Sequence, residues 1–256
     1  MGDRVAVDLH VHTALSPCAG EEMKPPAMLL AAERRGVGVL GVVDHCSARN
    51  AEAVLEAAPA FALRVLVGLE VESAEGVHLL ALFARAEAAM DMDALVAEHL
   101  PPLYNRPDVL GWQHLVDAWG NVLGVDERLL VTATDLSVEE IADLTAARDG
   151  LCIPVHTDRS VNGLLPLLGF VPPELRVEAF EVSRHTTPSE ARRRWPELQE
   201  RPLVTGSDAH YLEEIGQAVT WVSAELAAAE VGAREWGRRL GLEALAGRQD
   251  EAVGVL

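Results

Sequence analysis

Three short segments gather the residues able to do chemistry: Asp8-Leu9-His10-Val11-His12-Thr13, Asp44-His45 and Gly206-Ser207-Asp208-Ala209-His210. Each stands at the end of an apolar run of the kind that forms a β-strand. Glu70, His78 and His156 occupy comparable positions, and with Asp8, His10, His12, His45, Asp208 and His210 they make nine potential ligands. Neutral imidazole and ionised carboxylate together suit zinc, manganese or iron. Any one of these groups alone is explained as a capped strand end or a hydrogen-bonded core histidine, because a buried polar group needs a partner. Their recurrence at six strand ends points instead to one polynuclear metal site.

The elements that position these residues alternate. Strands are predicted at Val5–Leu9, Val39–Val43, Val65–Val71, Gly76–Phe83, Cys152–His156, Ala179–Ser183, Pro202–Gly206 and Ala218–Val222. Helices are predicted at Pro26–Arg35, Ala51–Ala58, Val138–Arg148 and Ala233–Ala246, the third capped by Ser137 with Glu140 three residues on. Strands alternating with helices imply parallel pairing in an α/β fold. Around Ala118-Trp119-Gly120 the rhythm breaks into a β-hairpin, read as an insertion over residues 101–130. In a parallel barrel the C-terminal strand ends meet at one mouth. His10 and His12 share a face only as their strand ends or twists, Asp8 has the same parity, and Gly206 permits a sharp bend before Asp208.

A chain of 256 residues, 49% of them hydrophobic, has enough material for one large core, and a single domain over residues 1–256 is expected. No apolar run is long enough to cross a membrane, so no membrane partner is expected. Residues 1–4 lack the layout of a secretion signal. Three cysteines form no disulfide framework, which fits a cytoplasmic protein. The net charge of −19, from 21 basic and 40 acidic residues, disfavours extended nucleic acid as a partner and favours a small phosphorylated substrate. Oligomeric state is left open.

The ordered motifs Asp8–Ser16, Asp44-His45, Glu70 with His78, His156 with Arg159, and Gly206–His210 resemble those of the PHP (polymerase and histidinol phosphatase) family. That resemblance implies a distorted (β/α)7 TIM-like barrel, three divalent ions (zinc, manganese or iron) and hydrolysis of a phosphomonoester or small phosphodiester by hydroxide generated on the metals. It implies that His10, His12, Glu70 and Asp208 hold one ion. Glu70 bridges to a second held by His78 and His156, and His45 and His210 hold the third. Where many relatives supply an aspartate or histidine to that third ion, this chain has Cys18, followed by Glu21. A thiolate would favour zinc or iron over manganese or magnesium. Cys46 replaces a frequent asparagine and is assigned a structural role. Glu70 and Asp208 carry the catalytic centre, with Arg159 and Arg184 as candidate phosphate clamps, and His185 is read as facing water. The competing readings are a nuclease acting on oligonucleotide ends, a histidinol-phosphate phosphatase and a non-catalytic, metal-stabilised binding module.

Overall fold

In the computed structural model, which describes residues 4–246, ten strands are formed. Residues 1–3, with their expected lack of a signal, lie outside that range. The strands are β1 (Arg4–Val11), β2 (Val37–His45), β3 (Arg64–Glu72), β4 (His78–Phe83), β5 (His114–Val116), β6 (Val122–Val125), β7 (Leu151–Pro154), β8 (Phe180–Val182), β9 (Leu203–Thr205) and β10 (Thr220–Ser223).

Six of them make one curled sheet in the order β10-β1-β2-β3-β4-β7. A parallel pair, β8–β9, bridges its two edges. Thr157 N, just past β7, donates to Glu181 O of β8, and Thr205 N of β9 donates to Thr220 Oγ1 of β10. The fold is therefore mixed α/β with a curled half-barrel sheet.

Strand direction differs from the expectation. Only β1–β2 and β2–β3 are parallel within the large sheet; β3–β4, β4–β7 and β1–β10 are antiparallel. The reason lies in the five residues between β3 and β4, too few for the crossover that parallel neighbours require. His78 consequently opens its strand instead of closing one. Because β4 runs backwards, that opening still lies beside the C-terminal end of β3, where Glu72 pairs with His78.

One face of the sheet buries Leu40, Val67, Leu69 and Leu79 against the flanking helices, including Met28 of Pro25–Arg34 and Met92 of Ala86–His99. The other buries Val7, Leu9, Leu66, Leu80, Leu82 and Ile153 around Trp236 of the closing helix Ala233–Leu245. The Ser137 capping box forms as the sequence indicates. Helix Ala86–His99 was absent from the predicted elements. Strands β5 and β6 pair antiparallel across the predicted turn. They are fastened to the first motif by His114 N on Ala14 O and by Asn50 Nδ2, which donates to both Thr13 Oγ1 and His114 O.

Candidate metal centre

Glu70, at the mouth end of β3, is the hub. Its carboxylate, 1% exposed, lies 2.7 Å from His78 Nδ1, 3.0 Å from His45 Nδ1, 3.2 Å from His156 Nε2, 3.4 Å from His12 Nε2 and 3.5 Å from His10 Nε2. Asp208 Oδ1 completes the far side, 3.4 Å from His10 Nε2 and 3.5 Å from His12 Nε2. His210 stacks on His12 with ring centroids 4.2 Å apart. The groups His10–His12–Asp208, His45–Glu70–His78 and His12–His45–His210 each bring their ligand atoms within 4.8 Å of one another.

Local backbone makes this convergence possible. Val7 and Leu9 point into the interior cluster, so strict alternation would turn His10 away. The register of β1 on β2 shifts between Asp8 and Val11, which breaks the alternation and lets both imidazoles reach Glu70. His156 and Asp208 have φ of 34° and 51°, left-handed conformations that non-glycine residues avoid unless the surroundings impose them. The bend expected at Gly206 is thus made at Asp208. Gly206 is needed for space, since a Cβ there would lie 2.6 Å from Glu181 Oε2 and 3.0 Å from His10 Cβ.

Asp8 is not at the cluster. Its carboxylate accepts from Ser207 N at 3.0 Å and Gly216 N at 2.8 Å, and so ties the first motif to the last. Asp44 accepts from the backbone and hydroxyl of both Thr13 and Ser16, and Ser16 Oγ lies 2.9 Å from His12 Nδ1. Burial pushes both carboxyls up to about 6 against these hydrogen bonds. Glu181, missed in the sequence, sits 3.2 Å from His10 Nδ1. Its signal was a lone glutamate between Phe180 and Val182 in a buried strand.

Burial opposes charge throughout the cluster. It drives His12 to the neutral form that a ligand needs, reinforced by His210 and His45. For His10 the surrounding carboxylates of Glu181, Asp208 and Glu70 win over burial and hold the ring well above its usual range. Burial would raise Glu70, but His78, His10 and His45 hold it well below. Cys18 is drawn in as well: against burial, hydrogen bonds with His210 and His45 bring its thiol down to about 6.

Arg159 Nη1 donates to Asp208 Oδ2 at 3.0 Å, beside the cluster. Arg184 is engaged elsewhere, with Glu214 Oε1 and Ser207 O. Cys46 is buried with its thiol on Thr132 O, and His185 is exposed.

The donor set fits cations. Glu70 Oε2 is buried without a hydrogen-bond donor, and His10 Nε2 and His12 Nε2 face each other at 3.3 Å. Five imidazoles around one carboxylate exceed what one acid can satisfy by proton sharing, whereas divalent ions between them would satisfy every lone pair.

A mixed α/β half-barrel with such a centre at its mouth defines a metal-dependent hydrolase. Residues 8–120 match the PHP domain and residues 191–231 the PHP-associated segment, together more than half of the chain, which belongs to the PHP family of metal-dependent phosphoesterases. No curated protein matches the sequence.

Among solved structures, the lesion-specific endonuclease Q of Pyrococcus furiosus superposes with a TM-score of 0.63 at 18% identity, over 86% of this chain and 52% of that one. Endonuclease Q bound to a 27-mer duplex with an abasic lesion at its active site gives 0.60 at 17%, over 87% and 55%. A candidate metal-dependent phosphoesterase of Bifidobacterium adolescentis gives 0.55 at 16%, over 82% and 89%. The chain spans about half the length of the endonuclease Q structures. The expected partner is corrected by this likeness: net charge led to a small phosphorylated substrate in place of extended nucleic acid, yet endonuclease Q, which shares the fold over 55% of its length, is seen in complex with a 27-mer duplex. Net charge is a whole-surface quantity and says little about one mouth, where bound cations would supply a positive field. No helix among the described residues is long and apolar enough to cross a membrane.

Proposed function

We propose that this protein hydrolyses phosphodiester bonds of nucleic acid at a centre of three divalent ions. The observation that carries the reading is the encirclement of Glu70 by five imidazoles with its Oε2 left without a donor. His10, His12, Glu70 and Asp208 would hold the first ion, Glu70, His78 and His156 the second, and His45, His210 and Cys18 the third. Bound ions supply Lewis acidity toward the phosphoryl oxygens and acidify water toward neutrality.

The chain's own residues do the rest. Glu70 and Asp208 fix the spacing of the ligands. Arg159, 43% exposed and paired with Asp208, would meet a non-bridging phosphoryl oxygen. Arg184 fastens the segment that carries Asp208 and His210, because its partner Glu214 also accepts from His210 N and Tyr211 N. Nucleic acid is the substrate class because the likeness in fold extends to a structure that holds a duplex at its active site.

The test is metal-stripped protein reconstituted with zinc, manganese or iron and offered bis(4-nitrophenyl) phosphate, single-stranded and duplex oligonucleotides, and sugar phosphates. Metal-dependent cleavage of the oligonucleotides and the aryl diester is expected. Failure of every phosphoester with any metal overturns the activity, and turnover confined to sugar phosphates overturns the substrate class.

A further inference from the structure

The segment of β5, β6 and the turn before them encloses a cavity of about 340 Å³, lined among others by Tyr104, Asn105, Trp112, Gln113, Asp126 and Glu127. Its size falls in the range of small-molecule sites. Two walls are aromatic and open to solvent: Tyr104 is 76% exposed and Trp112 51%. The Trp112 ring is held in place by stacking on His114, 6.1 Å between centroids and 19° between planes. The segment Leu103–Val125 also contains nine of the seventeen large apolar side chains exposed among the described residues, a concentration that packing of this domain does not explain.

The polar groups of the cavity divide into those already satisfied and those not. Gln113 Nε2 donates to Asp126 O and Arg128 O, and Asp126 is paired with Arg128 and Arg49. Asn105 Nδ2 donates to Gly111 O at 2.9 Å, but Asn105 Oδ1 is buried without a donor. Glu127 is exposed and pairs with no cation among the described residues. What remains on offer is two flat aromatic surfaces and the exposed carboxylate of Glu127. That set repels a phosphate and suits a flat, uncharged ring bearing N–H donors.

The cavity is bolted to the mouth. Gly111, with φ of 101°, packs so tightly on Pro17 that a Cβ would lie 2.0 Å from Pro17 O, and Pro17 precedes Cys18. His114 N donates to Ala14 O in the same loop. The segment that carries Trp112 and the loop that carries Cys18 are thus joined directly.

We propose that this cavity is a nucleobase subsite, built to take an amino-bearing base (adenine, cytosine or guanine) from a strand whose phosphodiester lies at the metal centre. The inference deepens the nucleic-acid reading above and rests on it for its biological sense. Its chemistry is base–aromatic stacking, which every base offers, with the Glu127 carboxylate as acceptor for the exocyclic amine.

Calorimetric titration of the full chain with adenosine, cytidine, thymidine and ribose, without added metal, tests the subsite directly. Adenosine and cytidine should bind, thymidine at least fivefold more weakly, and ribose not at all. Trp112→Ala should weaken adenosine binding about tenfold, the loss of one stacked base. Tyr104→Ala, at a more exposed position, is the second variant should the first not fold. In parallel, Trp112→Ala should raise KM for a single-stranded oligonucleotide at least fivefold. Absence of nucleoside binding, or binding unchanged in both variants, overturns the subsite even if the wild type cleaves phosphodiesters. Trp112-dependent adenosine binding by a protein that cleaves none overturns the hydrolase reading and leaves the subsite standing.

Discussion

His10 and Glu181 meet at the bottom of the metal centre, Nδ1 to Oε1 at 3.2 Å, both buried. A ligating imidazole is oriented by the partner of its other nitrogen, which also sets its tautomer and basicity. Glu181→Gln keeps the shape and removes the charge. Metal affinity, measured by chelator competition, should fall about 10- to 100-fold with an unchanged circular dichroism spectrum. Undiminished affinity would mean that Glu181 only fills space.

Asp208→Asn and His12→Ala should each cost aryl diester turnover by at least about 100-fold and lower the bound metal measured by mass spectrometry. Asparagine is chosen at Asp208 because it tolerates the left-handed backbone found there. A folded variant with full metal content and wild-type turnover would remove that residue from the centre.

Chelation should lower the melting temperature. An ion at 100 times its Kd adds about 2.7 kcal/mol to the native state. At roughly 2–4 °C per kcal/mol for a domain of this size, stripping one tight ion should shift Tm by about 5–10 °C in a calorimetric scan. A Tm indifferent to chelator and to added metal would contradict binding in the folded state.

Gly206→Ala puts a methyl group against Glu181 and His10. Overpacking of this kind costs about 1–3 kcal/mol. Denaturant titration should show that loss, together with weaker metal binding, because the two displaced side chains are those that orient the first ion. A variant as stable as the wild type would show that β8 gives way freely.

Asp126 provides a pH test away from the ions. Burial raises its carboxyl, but hydrogen bonds and charge from Arg128, with Arg49, more than offset this and hold it below the usual range. A carboxyl depressed on folding stabilises the native state above its unfolded pKa, about 3.9, and that contribution disappears as pH falls through the folded value. Asp126→Asn should therefore reduce stability near neutrality and flatten the acid limb of Tm against pH below about pH 4. An acid limb parallel to the wild type would disprove the assignment.

The eight histidines and acids singled out in the sequence were legible because metal chemistry places few residue types in few spacings, and the fold brings all eight side chains together. Cys18 was legible only as a gap in the pattern, and contact with His45 and His210 is what draws it in. Strand direction was not legible. Alternating elements suggested parallel pairing, and the short β3–β4 connection was the signal that should have overruled it. Helix Ala86–His99 has strong helix formers but no capping side chain at Arg85, so the usual start signal was missing. Glu181 could not be assigned to His10, 171 positions away, without the fold. Net charge misled on the partner because it averages over the whole surface.

The bonds from Asp8 to Ser207 and Gly216 span 199 and 208 positions of chain. During synthesis His10 and His12 emerge early, yet their acidic counterpart and last imidazole arrive only when the closing third has docked on β1. Contacts of such long range form slowly. A half-made polypeptide therefore carries only part of the cluster, which is complete once the ring of strands is shut.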